Sequence, residues 1–96
     1  MSVRRLSEVA AATGGKLVGP DSEFLRVGSD TRKLMAGELF VALRGPNYSG
    51  HEFVMQAEKL GASGALVEHP ILCHLPQVVV RDTRRALGAY AAHWRA

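Results

Sequence analysis

The sequence predicts an α/β domain in which a small mixed β-sheet is flanked by helices. Short apolar segments of the kind that form strands alternate with helical segments, as expected when helices pack on a sheet. Residues 39–43 form a continuous apolar run, which is typical of a strand buried on both faces. The less regular pattern before this run favours a mixed sheet over a fully parallel one. Because 96 residues suit one domain, we expect residues 1–96 to form a single domain.

The chain begins with a predicted helix over residues 6–13. Ser7 is the predicted N-cap, and Gly14 is the kind of residue at which a helix ends. Residues 16–18 then form a predicted short strand, and residues 24–28 are predicted to be extended.

The middle of the chain predicts a β-α-β unit. The strand over residues 39–43 is followed by a helix over 52–60 and by a second strand over 65–67. A connection of this kind joins parallel strands of one sheet. The helix carries apolar residues at i, i+4 and i+7, which predict its buried face: Phe53, Ala57 and Leu60.

The last part predicts a strand over residues 77–80 and a final helix that Asp82 or Thr83 caps. The helix runs to Ala96 without a glycine or a polar stop. We therefore expect the chain to be part of a longer protein. Four residues of this helix share its predicted buried face: Leu87, Tyr90, Ala91 and Trp94.

The net charge of +3 comes from one end of the chain. Residues 1–80 hold eight basic and eight acidic side chains, whereas the last sixteen residues hold four arginines and only Asp82 as an acid. Such a local excess is typical of a solvated helix face. A small basic module that binds nucleic acid is the alternative from a different functional class.

The composition also bears on compartment and metal binding. A single cysteine excludes an internal disulfide, and no apolar run approaches the length of a membrane span, so we expect a cytoplasmic protein. His69, Cys73 and His74 lie close together, but a zinc site needs three or four ligands with supporting geometry. A surface loop with a packed cysteine is the favoured interpretation, and we expect no metal site.

The usual catalytic motifs are missing from the sequence. It has no glycine-rich phosphate loop ending in Gly-Lys-Ser/Thr, no Gly-x-Gly-x-x-Gly and no Gly-x-Ser-x-Gly. No histidine is paired with a nucleophile, and no pair of carboxylates is marked for acid–base chemistry. We therefore assign no catalytic residue.

A first polar segment, Ser29-Asp30-Thr31-Arg32-Lys33, follows the extended residues 24–28. Hydroxyl groups and a guanidinium at a strand end can bind a carbonyl, a ribose or a phosphate, and arginine can contact phosphate through two donors. The alternative is a plain turn in which Asp30 bonds to its own backbone. The residues alone favour the turn.

A second polar segment, residues 44–51, lies between the strongest strand and a helix. Ligands of open α/β sheets lie beyond the carboxyl ends of strands, and a helix start favours an anion. Tyr48 could stack on a base and Asn47 could pair with an amide edge, or the segment could be a connection in which Tyr48 covers core. The two segments together predict a pocket for a nucleotide-like ligand.

Four segments, in this order and spacing, resemble the amino-terminal domain of the Mur ligases: residues 29–33, 37–45, 50–53 and 61–62. The resemblance covers essentially the whole chain. Mur ligases are cytoplasmic, ATP-dependent amide-bond ligases of bacterial peptidoglycan synthesis. Residues 80–83 with 86–88 most resemble the member that adds D-alanyl-D-alanine to a UDP-N-acetylmuramoyl-tripeptide. The member that adds the third peptide residue, meso-diaminopimelate or lysine, is the alternative.

The resemblance implies that the chain binds the UDP portion of a UDP-N-acetylmuramoyl-peptide. It places the uridine and diphosphate contacts on Ser29, Thr31 and Arg32. The other wall of the pocket would be formed by Pro46, Asn47 and Tyr48. Ser49 stands where the family usually has aspartate.

The resemblance also implies what this chain lacks. In the family, ATP and Mg²⁺ bind a central domain through a Gly-Lys-Thr/Ser loop, and a carboxyl-terminal domain helps to bind the incoming amino acid or dipeptide. Neither domain is expected within these 96 residues, so we expect no cofactor here and no activity from the chain alone. The expected partners are the UDP-linked peptide and the remaining domains of the ligase, not a membrane or a nucleic acid.

Overall fold

A computed structural model describes residues 4–43, 50–71 and 73–95, and it describes only the backbone at residues 50, 51 and 93–95. Within these ranges, the predicted strands and helices occur in the predicted order. The elements are β1 (Arg4–Arg5), α1 (Leu6–Thr13), β2 (Lys16–Val18), β3 (Glu23–Phe24), β4 (Val27–Gly28), β5 (Leu39–Val41), a 3-10 helix (Gly50–Phe53), α2 (Val54–Lys59), β6 (Gly64–Val67), β7 (Gln77–Val79) and α3 (Thr83–Arg95).

Five strands form the main sheet in the order β2-β7-β6-β5-β4. Strands β4 to β7 are parallel, and β2 pairs with β7 in the antiparallel direction. The predicted mixed sheet and the predicted β-α-β unit are therefore confirmed. The predicted extended segment 24–28 divides between two sheets, because β3 pairs with β1 in a separate two-stranded ribbon while β4 forms an edge of the main sheet.

The side chains of each central strand alternate between two apolar layers. From β5, Leu39 and Val41 face the layer that α1 and α3 cover, whereas Phe40 faces the layer that α2 covers. Leu66 and Ala65 on β6 divide in the same way. Helices on both faces explain why residues 39–43 read as a continuous apolar run rather than an alternating one.

The start of α1 differs from the prediction that Ser7 is its N-cap. The N-cap is Arg5, which makes no side-chain capping bond, and Ser7 lies inside the first turn. The backbone N–H of Ser7 donates to Asp21 Oδ1 at 3.0 Å, and its hydroxyl donates to Asp21 Oδ2 at 2.8 Å. A carboxylate from the β2–β3 connection therefore caps this helix. Its end is as predicted, because Gly14 adopts the left-handed conformation (φ 72°) that suits glycine.

The predicted buried face of the second helix was wrong at two of its three residues. Phe53 and Leu60 are 38% and 39% exposed, and the buried side chains are those of Val54 and Ala57. The first turn is a 3-10 helix, in which each residue turns by a third of a circle, so Phe53 is carried away from the sheet.

The third helix begins as predicted. Asp82 Oδ1 accepts the backbone N–H of Arg85 at 3.1 Å, so Asp82 is the cap and Thr83 is the first helical residue. Tyr90 is buried against Phe24 with ring centroids 6.3 Å apart, and Leu87 packs at the margin of the same core. Across the described ranges, no helix combines the length and the apolarity needed to cross a bilayer.

Candidate functional site

The first polar segment and the end of the strand that precedes the second lie at the same edge of the sheet. Strands β4 and β5 are parallel neighbours, so their carboxyl ends lie side by side. Ser29 to Lys33 follows β4, and the chain that continues from β5 enters the second segment at residue 44. The carboxyl edge of a parallel sheet is where ligands of α/β proteins bind.

The first segment is a turn organised around Asp30. Its Oδ1 accepts the backbone N–H of Arg32 at 2.9 Å, and its carbonyl oxygen accepts the N–H of Lys33 at 3.0 Å. The residue types favour such a turn over a binding segment. The turn is present, and it is compatible with binding because the Arg32 side chain stays 85% exposed.

The side chains of Asp30 and Arg32 form a two-point ion pair. Arg32 Nε donates to Asp30 Oδ1 at 3.1 Å, and Arg32 Nη2 donates to Asp30 Oδ2 at 3.0 Å. The hydrogen bonds from Arg32 lower the pKa of Asp30, and the same pair raises the pKa of Arg32. Arg32 remains 85% exposed as a side chain, so a cation with a defined orientation is presented at this edge.

The other residues predicted to bind UDP have different environments. Ser29 is exposed and Thr31 is half-buried, and both lie in the same turn as Arg32. Pro46, Asn47 and Tyr48 lie outside the described residues. The turn therefore brings the first three predicted residues together, and the contribution of the second segment stays a prediction.

Glu38 closes the turn that comes next, at residues 35–38, a role that the sequence does not predict. Its carboxylate is buried, and Oε1 accepts the backbone N–H of Met35 at 3.1 Å. At Gly28, the last residue of β4, an added Cβ would lie 3.2 Å from this oxygen and 3.0 Å from Leu34 Cδ1. A larger residue here would have to displace these two side chains by a few tenths of an ångström, so the close approach favours glycine at the end of β4.

Thr83 makes contacts beyond the possible helix cap that the sequence predicts. Its side chain is 1% exposed, and its hydroxyl donates to the Ala42 carbonyl oxygen at 3.0 Å. Its backbone N–H donates to Glu68 Oε2 at 3.1 Å. Thr83 therefore links the start of α3 to the residues that follow β5 and β6. Of these, Ala42 lies two residues before the second polar segment. A cleft of about 210 Å³ opens beside it, lined by Glu68, Asp82, Thr83 and Arg84.

The residues considered for metal binding make other contacts. Cys73 is half-buried, and its Sγ accepts the side-chain amide N–H of Gln77 at 3.3 Å. The backbone N–H of His74 donates to Glu58 at 2.6 Å. In the part of the chain that the structure describes, no three His, Cys, Asp or Glu side chains converge as a metal site would require.

Comparison with protein families and curated proteins places these observations in context. Residues 23–95 match the family described as "Mur ligase family, catalytic domain". The chain is 45% identical over 87 residues to the UDP-N-acetylmuramoyl-tripeptide–D-alanyl-D-alanine ligase of Escherichia coli strain K12, covering 91% of the chain and 19% of that protein. It is also 39% identical over 62 residues to the UDP-N-acetylmuramoyl-L-alanyl-D-glutamate–2,6-diaminopimelate ligase of Aquifex aeolicus, covering 65% of the chain and 13% of that protein.

The fold agrees with these sequence matches. A crystal structure of MurF from Acinetobacter baumannii superposes with a TM-score of 0.89 and 35% sequence identity, covering 99% of this chain and 21% of that one. The chain thus spans about a fifth of the length of the E. coli relative and of the MurF structure. Together, the matched residues and the shared fold show that the chain belongs to the Mur ligase family, as a domain of the amino-terminal type that the sequence predicts.

Proposed function

We propose that the chain binds the UDP portion of a UDP-N-acetylmuramoyl-peptide, as the first domain of an ATP-dependent ligase of peptidoglycan synthesis. The observation that carries the proposal is the similarity over nine-tenths of the chain to a D-alanyl-D-alanine ligase whose name includes that nucleotide sugar. The position of Arg32 at the carboxyl edge of the sheet supports it, because this edge receives nucleotides in many α/β proteins.

Within this proposal, Ser29, Thr31 and Arg32 contact the uridine and diphosphate. Arg32 suits the diphosphate because a guanidinium can donate two parallel hydrogen bonds to one phosphate. Pro46, Asn47 and Tyr48 complete the pocket from the neighbouring segment.

The chain contributes position rather than chemistry. In the full ligase, the central domain would hold ATP and Mg²⁺ and would supply transfer of the ATP γ-phosphoryl group to the peptide carboxylate with release of ADP. The incoming amine would then displace phosphate and form the amide bond. Anchoring the UDP end restricts the rest of the substrate to the neighbourhood of that site, which lowers the entropic cost of the reaction. The remaining domains of the same cytoplasmic ligase are therefore the partners of this chain, and the chain alone is inactive.

A second candidate is the ligase that adds the third peptide residue. The identity to the diaminopimelate ligase of Aquifex aeolicus favours it, although that match covers less of the chain. The full-length protein distinguishes the two, because with ATP, D-alanyl-D-alanine and a UDP-linked tripeptide it should form ADP, phosphate and the UDP-linked pentapeptide. Turnover only with diaminopimelate or lysine and a UDP-linked dipeptide would establish the second candidate.

Titration of the labelled chain with UDP and with UDP-N-acetylmuramoyl-tripeptide, followed by NMR, tests the binding role. We expect saturable shift changes at residues 29–32, weaker binding in Arg32→Ala and unchanged binding in the control Arg26→Ala. Arg26 is a matched control because it is also exposed but precedes β4, at the opposite end of that strand. Absence of any shift change near residues 29–32 at millimolar ligand would reject the proposal.

A further inference from the structure

Arg32 is connected to the domain at two points of its guanidinium before any ligand is present. The Nε and Nη2 atoms both donate to Asp30, at 3.1 and 3.0 Å. Asp30 is itself fixed, because its Oδ1 accepts the backbone N–H of Arg32 at 2.9 Å and its carbonyl oxygen accepts that of Lys33 at 3.0 Å. The charged end of a long, exposed side chain therefore has a defined orientation.

We propose that Asp30 is a positioning residue that orients Arg32 for the nucleotide diphosphate. The inference rests on the proposed function, because it assumes that the anion binds at this turn. A guanidinium has five N–H donors, and the pair with Asp30 uses two of them. Among the residues that the structure describes, none accepts from the Nη1 group or from the second Nη2 hydrogen, and this edge of the guanidinium can contact a phosphate through two parallel bonds.

The stability of the domain does not explain this arrangement. An ion pair with an arginine that is 85% exposed adds little to folding, because water and salt screen it. The ion pair instead affects the affinity for a ligand, because a flexible side chain loses rotamer freedom when it contacts one. An arginine that is already oriented loses less of that freedom on binding, and the affinity gained corresponds to about three- to tenfold in Kd.

A competing effect has the opposite sign. The carboxylate of Asp30 is negative, and by charge alone its removal should strengthen the binding of a diphosphate. The sign of the change in affinity therefore separates the two effects. Orientation of Arg32 predicts weaker binding when Asp30 is neutralised, whereas simple charge repulsion predicts tighter binding.

Asp30→Asn is the informative variant. Its side-chain oxygen can still accept the N–H of Arg32 and keep the turn, but the charge and the two-point contact are lost. The Kd of UDP is measured by titration for the wild type, for Asp30→Asn, for Arg32→Ala and for the double variant. We expect about three- to tenfold weaker binding in Asp30→Asn, a larger loss in Arg32→Ala and no further loss in the double variant.

Two further measurements separate positioning from a merely structural role. The Arg32 Nε–H resonance should exchange slowly with water in the wild type and rapidly in Asp30→Asn. Arg32→Lys offers a second route if Asp30→Asn does not fold, because lysine keeps the charge but lacks the planar fork. We expect a similar loss of about three- to tenfold in the affinity for UDP there, because lysine cannot form the two-point contact with the intact Asp30. Asp21→Asn, which removes another capping carboxylate, should leave the Kd unchanged.

Equal or tighter UDP binding in Asp30→Asn would overturn the inference, as would an equal loss in the presence and absence of Arg32. In either case, binding of UDP by the wild type would leave the proposed function intact. A wild-type chain that does not bind UDP at all would refute the proposed function and the inference together.

Discussion

Replacing Thr83 by valine should destabilise the domain more than the same replacement of Thr13. Valine has nearly the same shape, so the change removes one donor and creates no cavity. The hydroxyl of Thr83 has a single hydrogen, and its shorter contact is the 3.0 Å bond to the Ala42 carbonyl oxygen, with Glu68 Oε2 at 3.3 Å. Both Thr83 and Ala42 are almost fully buried, so water cannot replace the lost donor.

The expected cost follows from this burial. A buried acceptor that loses its partner costs about 1–3 kcal/mol. For a domain of this size, each kcal/mol lowers the unfolding midpoint by roughly 4–8 °C, so a loss of about 2 kcal/mol corresponds to about 8–16 °C. Denaturant titration followed by circular dichroism measures the free energy of unfolding, and a thermal scan measures the midpoint.

Thr13→Val is the matched control. The hydroxyl of Thr13 donates to the Val9 carbonyl oxygen at 2.7 Å, but that oxygen lies within α1 and keeps its own helical bond. We expect a loss below about 0.5 kcal/mol in this variant. If Thr83→Val lost no more stability than Thr13→Val, the bond from α3 to the end of β5 would not be the stabilising contact described above.

Three further predictions concern other parts of the fold. Gly15→Ala should lower the free energy of unfolding by about 1–3 kcal/mol, because the added Cβ would lie 2.9 Å from a backbone oxygen. Gly88→Ala has open space around the added Cβ and should raise the free energy of unfolding by about 0.5–1 kcal/mol. The opposite order of stability in urea titrations would contradict the packing described. Asp21→Asn should destabilise the domain near pH 7 but not at pH 2. Hydrogen bonding lowers the folded-state pKa of Asp21 below its ordinary 3.8, so the stabilisation by its carboxylate is present above that value and is lost as the pH falls. A difference in the free energy of unfolding between the variant and the wild type that persists in acid would refute this cause. Gln77→Ala should lower the free energy of unfolding by about 2–3 kcal/mol and accelerate the alkylation of Cys73. The buried amide of Gln77 forms hydrogen bonds with the connection between β6 and β7 and donates to the Cys73 sulfur. An unchanged alkylation rate would show that the amide does not hold this connection in place.

Local patterns were sufficient for most of the fold. The apolar run at residues 39–43 predicts a strand buried on both faces, and the structure places helices on both sides of it. Gly14 predicts the end of α1, and Asp82 is one of the two caps predicted for α3. These predictions succeeded because each depends on residues that are close in sequence, through backbone geometry, helix capping or side-chain period.

Predictions that depended on distant partners were less successful. Ser7 is not the cap of α1, because Asp21, fourteen residues away, accepts its N–H and its hydroxyl. Phe53 is not on the buried face of α2, because the 3-10 turn before that helix changes the phase of the side chains. The residue types of Ser29 to Lys33 predict the first half of the candidate site, and their role in binding stays a prediction. Neither the two-point pair of Asp30 with Arg32 nor the bond from Met35 to Glu38 was predicted.

The sequence by itself determined the order of the elements, the mixed α/β class and the family. Periodicity predicts the elements and the class, and the resemblance of short motifs predicts the family. Only the tertiary structure decided which groups meet at the carboxyl edge. Thr83 is an ordinary helix-start residue in the sequence, yet its hydroxyl donates to Ala42, 41 residues away. Such contacts depend on the order of the strands in the sheet and on which buried polar groups lack a hydrogen-bond partner within their own element. No local pattern encodes either of these, and both are settled only when the whole chain packs.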